Sequence, residues 1–284
     1  MPGIVRLRGE TLIHVATEKR LQEYRLLDQI AIAYEKGIGN PLERVKTEFP
    51  FSVGALVELE ILKHLNPAFS DVLSRYHRPS IVRTIYAAQQ SRNLAITGQN
   101  RHAKWGAFCL GDVRPEDFKE RLFSFELAAR KAMPFKRNVS QAKANICGAL
   151  QELVDNIFEH SESAETGLLM FFGAADSFEL AVGDAGIGVL ASLRTNPTYS
   201  FLTDSGAALT FALTDGHSRY GRSAGRGSGF TTLFRALRTL DADLRFRSGN
   251  YSLEVVGRSP VLDGAHVSQK AQLQGFVVSL RLRF

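Results

Sequence analysis

The chain of 284 residues is 44% hydrophobic and 23% charged with a formal net charge of +6, the profile of a globular protein able to bury a large core. No run approaches the ~18 apolar residues of a membrane-spanning helix, no apolar signal segment opens the chain, and Cys109 and Cys147 make no metal or disulfide framework. A cytoplasmic protein without a membrane partner is expected, each cysteine acting as a small buried hydrophobe. The cationic surplus lies mostly in residues 1–110 but is scattered, with no nucleic-acid motif beside it, so a solvated basic face is expected rather than a nucleic-acid site.

Ile4–Val15 reads as a β-hairpin turning at Gly9-Glu10, and Glu18–Lys36 has helical spacing that stops at Gly37. Ser52 is placed to cap a helix reaching Leu65, and Pro79 fits the first turn of another reaching Asn93. Short strands are predicted at Leu94–Thr97 and Trp105–Leu110. Pro115 begins an amphipathic helix with Phe118, Leu122, Phe125 and Ala129 on one face, and Pro134 ends it. A long helix follows from Val139 to His160, then strands Leu168–Phe172 and Phe178–Gly183. Ser205–Leu213 and Ser228–Leu240 read as helices, and Leu244–Arg247, Tyr251–Val255 and Gly275–Phe284 as strands. The pattern divides into residues 1–115, a mixed α/β region of unassigned role, and residues 116–284, although no Gly-, Ser- or Pro-rich linker separates them.

Three stretches of the second half carry chemistry. On a helix at about 100° per residue, Leu150, Leu153, Val154 and Ile157 form the buried stripe of Glu152–His160, and Glu152, Asn156 and His160 fall along its flank. The Asn156 amide is a hard-oxygen ligand suited to Mg²⁺, and a carboxylate one turn away is suited to activating a nucleophile. His160 is read as an orienting or surface histidine, since no second ligand stands at metal spacing. Asp184-Ala-Gly186-Ile-Gly188 ends an alternating strand. Its carboxylate, an acceptor only, matches an exocyclic amine such as adenine N6. Gly225-Arg226-Gly227-Ser228-Gly229 runs into the helix Phe230–Leu240, where glycine backbone and a helix N-terminus present N–H groups to phosphate, with Arg219, Arg222 and Arg226 nearby. Neither a P-loop nor a dinucleotide fingerprint is present.

As an ordered set over residues 139–284, these stretches resemble the GHKL superfamily of gyrase-type topoisomerases, MutL proteins, histidine kinases and anti-sigma-factor serine kinases. The matching positions are Glu152 and Asn156, then Asp184, Gly186 and Gly188, then Gly225, Gly227 and Gly229. The resemblance implies a Bergerat-type two-layer α/β sandwich, a mixed sheet covered by helices, with ATP and Mg²⁺ as cofactors. It makes Asn156 the Mg²⁺ ligand, Asp184 the adenine-binding carboxylate, residues from about Asn196 to Ala224 a mobile lid, and Glu152 the catalytic base. The chain departs from the family at Gly275-Phe276, where many members have Gly-Thr, and in lacking a lysine at the second glycine motif. Both departures set it nearer to small prokaryotic regulators of the anti-sigma-factor kinase type than to topoisomerases.

The leading expectation is a Mg-ATP-binding protein that hydrolyses ATP slowly and regulates a protein partner through lid closure. A serine/threonine kinase of the anti-sigma-factor type and a non-enzymatic, ATP-dependent interaction module stand as alternatives. A histidine kinase is disfavoured: Pro79 breaks any helix just past His77, and Ala68 stands where the second candidate box needs its acceptor. Homodimerisation is common in the superfamily, but no residue here carries it.

Overall fold

The computed structural model describes residues 24–37, 52–74, 79–91, 95–99, 102–111, 113–134, 140–214, 233–234, 237, 240–258 and 262–284. The hairpin expected over Ile4–Val15 and most of the helix expected over Ser228–Leu240 lie outside them. The described elements are α1 (24–35), α2 (Val53–Leu65), α3 (Phe69–Ser74), α4 (Pro79–Ser91), β1 (Ala95–Gln99), β2 (Ala103–Cys109), α5 (Phe118–Ala132), α6 (Ser140–His160), β3 (Leu168–Ala174), β4 (Ser177–Asp184), α7 (Gly188–Arg194), α8 (Ser205–Leu213), β5 (Asp241–Arg258) and β6 (His266–Arg283). No described helix is long and apolar enough to cross a membrane.

The strands form one open sheet in the order β1-β2-β3-β4-β6-β5. Every pairing among the described strands is antiparallel, where a mixed sheet was expected. Alternation along the strands supplies two apolar faces. On β3, Leu169 and Phe171 join the core made with α5, α6 and α8, while Leu168 and Met170 join the core made with α1, α2 and α4. Helices therefore line both faces, and the architecture is three-layered where the sequence suggested two. Residues before 115 build the second helical layer and also extend the sheet, β2 pairing with β3 from Ala103↔Ala174 to Cys109↔Leu168.

The second layer centres on α2. Ser52 caps it as expected, its Oγ accepting from Ala55 N at 3.3 Å, and the Glu179 carboxylate of β4 accepts from Val53 N at 2.9 Å. All residues from Val53 to Leu62 are buried, Glu58 and Glu60 included, so this helix is enclosed on every side. Glu58 is enclosed with cations. Arg245 Nε donates to it at 3.0 Å and Arg247 Nε at 2.8 Å. Arg245 also bonds Asp28 at 2.8 Å and Glu254, and Lys270 pairs with Asp28 at 2.9 Å. The remaining Arg247 donors reach the carbonyls of Tyr251 and Ala271, each at 3.0 Å. Burial alone would raise the Glu58 carboxyl, yet the two guanidiniums hold it down at about 2.

β5 is a single strand where two were expected. Ser248-Gly249-Asn250 has turn composition, but the register shifts on either side of Gly249, whose φ is +56°, and the strand continues past this bulge.

Candidate functional site

Phe178, Leu180 and Val182 of β4 face the core under α5 and α6, and strand alternation puts Asp184 on that same side at the strand end. Asp184 is 4% exposed, and its Oδ1 accepts from Gly186 N at 2.9 Å. No ion pair reaches it among the described residues. Burial pushes its carboxyl up to about 7, only partly offset by the Gly186 bond.

The turn after Asp184 is fixed by three other segments. Ala185 N donates to Thr166 Oγ1 at 2.8 Å, Ile187 N to Ser161 O at 2.9 Å, and Val189 N to Ser248 Oγ at 2.9 Å. The Ser248 hydroxyl itself donates to Gly275 O at 2.8 Å, which ties β5, β6 and the start of α7 together. Two glycines permit this closeness. A Cβ on Gly186 would lie 2.1 Å from Ser161 O, and one on Gly275, whose φ is +90°, would lie 1.9 Å from Asp184 O.

α6 carries the first motif, and its buried stripe is the expected one, with Leu150, Leu153, Val154 and Ile157 all in the core. Glu152 is exposed and Asn156 half-buried on the flank. Arg114 pairs with the neighbouring Asp155 at 2.7 Å and lies 4.1 Å over the Phe158 ring. Ser161 N closes the last turn of the helix on Ile157 O, and Ser161 O receives Ile187 N. The structure thus joins the end of the helix bearing Glu152 and Asn156 to the turn bearing Asp184 and Gly186. Gly188, with φ +75°, opens α7.

The third motif, Gly225, Gly227, Ser228 and Gly229 with Arg222 and Arg226, lies outside the described residues. Of the expected lid, Asn196–Ala224, the described part reaches 214 and is not an open loop. Asp204 caps α8 through Ala207 N at 2.8 Å, and Leu193, Tyr199, Leu202 and Ala208 form a small core of their own. α8 also rests on β5, where Gly206 lies against the Tyr251 ring.

A space of about 240 Å³, lined by Leu150, Leu153, Val182 and Val278 among others, lies between α6 and the sheet on the Asp184 face. A larger cleft, about 520 Å³ and open to solvent, lies behind the sheet beside Tyr24, Ser52, Glu179 and Arg281. Its charged walls pair among themselves: Glu179 caps α2 and meets Arg281 at 3.4 Å, and Arg245 is enclosed by carboxylates. The chemistry-bearing motifs are not there.

Compared with protein-family models, curated proteins and solved structures, the chain has no match in any of the three. With the N–H groups of Ala185, Gly186 and Ile187 all taken by protein acceptors, this turn forms a closed wall with none of these three donors free for a phosphate. Ser161, Thr166 and Ser248, which hold that wall, were not singled out from sequence. Nothing in a single sequence signals them, because each acts through a strand register or a loop crossing.

Proposed function

We propose that the chain binds Mg-ATP between α6 and the Asp184 end of β4, hydrolyses it slowly, and regulates a protein partner through closure of a lid from about Asn196 to Ala224. One observation carries the reading: a carboxylate 4% exposed, with no ion pair among the described residues, at a strand end tied to the helix of Glu152 and Asn156. A carboxylate buried this way lacks the cationic compensation that Glu58 has, and a base amine would supply a donor to it. Asn156 offers one amide oxygen, and no described group of three His, Cys, Asp or Glu forms a metal cluster. A lone amide fits Mg²⁺, which takes few protein ligands and completes its shell with phosphate oxygens and water. The element order from α6 through the β5–β6 pair is compatible with a Bergerat-type sandwich.

Glu152 stands exposed rather than enclosed. That favours a second reading, in which the carboxylate activates a serine or threonine hydroxyl presented by a partner protein. Incubation with γ-labelled ATP, with and without cell extract, separates the readings. Free phosphate lost in Glu152→Ala supports hydrolysis, label transferred to another protein supports the kinase, and neither leaves a non-enzymatic ATP-dependent module. Asp184→Asn and Asn156→Ala are both expected to weaken ATP binding; unchanged affinity in both would overturn the pocket.

A further inference from the structure

Phe276 is the register partner of Asp184 across β4 and β6. Directly opposed residues project to the same face with Cβ atoms ~5 Å apart, so the ring stands beside the carboxylate. It is half-buried and belongs to an aromatic file, 6.4 Å from Phe246 at 22°, with Phe246 in turn 6.1 Å from Phe234. The polar groups around it are already committed. The N–H groups of Ala185, Gly186 and Ile187 are taken, Thr166 Oγ1 donates to Ser163 O at 2.7 Å, and Ser248 Oγ donates to Gly275 O. Among the described residues, what this wall presents to a base is one carboxylate flanked by an apolar ring.

An ionised carboxylate accepts hydrogen bonds and donates none. It pairs with the N6 amine of adenine, and equally with the N1–H and N2 amine of guanine. Rejecting guanine would take a donor aimed at the acceptor N1 of adenine, which a phenyl ring does not supply. Resting on the nucleotide reading above, we infer that the Asp184 pocket takes guanine as well as adenine nucleotides, and that Phe276 is the residue that sets this breadth.

The test is calorimetric binding of ATP, GTP and purine riboside triphosphate, which lacks the amine, at a pH of about 8 where Asp184 is ionised. The wild-type protein is expected to bind ATP and GTP within about tenfold of each other, and the amine-free nucleotide about tenfold or more below ATP. A larger ATP-over-GTP preference, or amine-free nucleotide bound as well as ATP, overturns the inference without any variant. Phe276→Thr, which puts a donor beside the carboxylate, is expected to raise the ATP:GTP affinity ratio about threefold or more, whereas Phe276→Leu leaves it unchanged. A ratio that stays fixed in Phe276→Thr, or rises equally in Phe276→Leu, removes Phe276 from the role. Asp184→Asn separates the two levels. If it weakens ATP binding while the base preference proves narrow, only this inference fails; if it and Asn156→Ala both bind ATP as the wild type does, the nucleotide reading fails with it.

Discussion

The two faces of the sheet bury carboxylates in opposite ways. Behind the sheet, Glu58 receives Arg245 and Arg247, and its carboxyl is held at about 2. On the α6 side, Asp184 receives one backbone N–H and rises to about 7. Glu126 of α5 is similar: it is 5% exposed, one oxygen accepts from Gln151 at 3.1 Å, the other has no partner, and burial raises its carboxyl to about 7. Glu58 is answered with cations, whereas Asp184 and Glu126 are left with neutral donors. Asp184 differs from Glu126 in its place, at a strand end whose following turn is tied to the end of α6.

This contrast is broken most sharply at Arg245. Arg245→Met strips a cation from Asp28, Glu58 and Glu254 together and is expected to cost about 3–5 kcal/mol, read as a lower urea midpoint. Asp184→Asn is expected to act in the other direction. A folded-state pKa near 7, above the ordinary 3.8, means that the folded protein holds a proton the unfolded chain has released, so stability falls as pH rises across that window. The Asn variant, free of this penalty, is expected to be more stable than the wild type at a pH of about 8 by on the order of 3–4 kcal/mol, converging with it near pH 4, while losing ATP. Glu126→Gln follows the same sign from 4.5 to about 7, with a gain on the order of 2–3 kcal/mol and no loss of nucleotide. Glu58 shows the opposite slope: its contribution is full above 4.5 and is lost as pH falls towards 2, which urea midpoints in acid would reveal. The smallest stability effect belongs to Glu152→Ala, expected within about 0.5 kcal/mol because the side chain is exposed, even though phosphate release should stop.

Where local signals decide, the sequence was legible. Ser52 starts α2, Pro79 starts α4, and Ser205–Leu213 is helical over the predicted bounds. The face of α6 also follows its periodicity, which is why Asn156 falls on the flank as expected. Illegible features depend on distant partners. Glu58 and Arg245 meet across 187 residues, so the enclosure of α2 leaves no local signal and its layer reads as a separate region. β5 reads as two strands because Ser248-Gly249-Asn250 has turn composition; the turn is a bulge, and Arg245 and Arg247 beside it are buried. α7 is only seven residues long and has no capping side chain, leaving little periodicity to find.

The sheet that runs uninterrupted across residue 115 has a practical consequence for handling the protein. A fragment beginning at residue 116 would lose β1 and β2, turning β3 into a raw edge, and would shed the helices that cover Met170, Ala181 and Val277. It would also leave Arg245 and Arg247 without Asp28 and Glu58. Such a fragment is expected to aggregate on expression, through an unpaired strand and an uncovered apolar face, although it carries every motif that first drew notice. The residues that read as an anonymous preface are the back wall without which the sheet behind Asp184 has nothing to stand against.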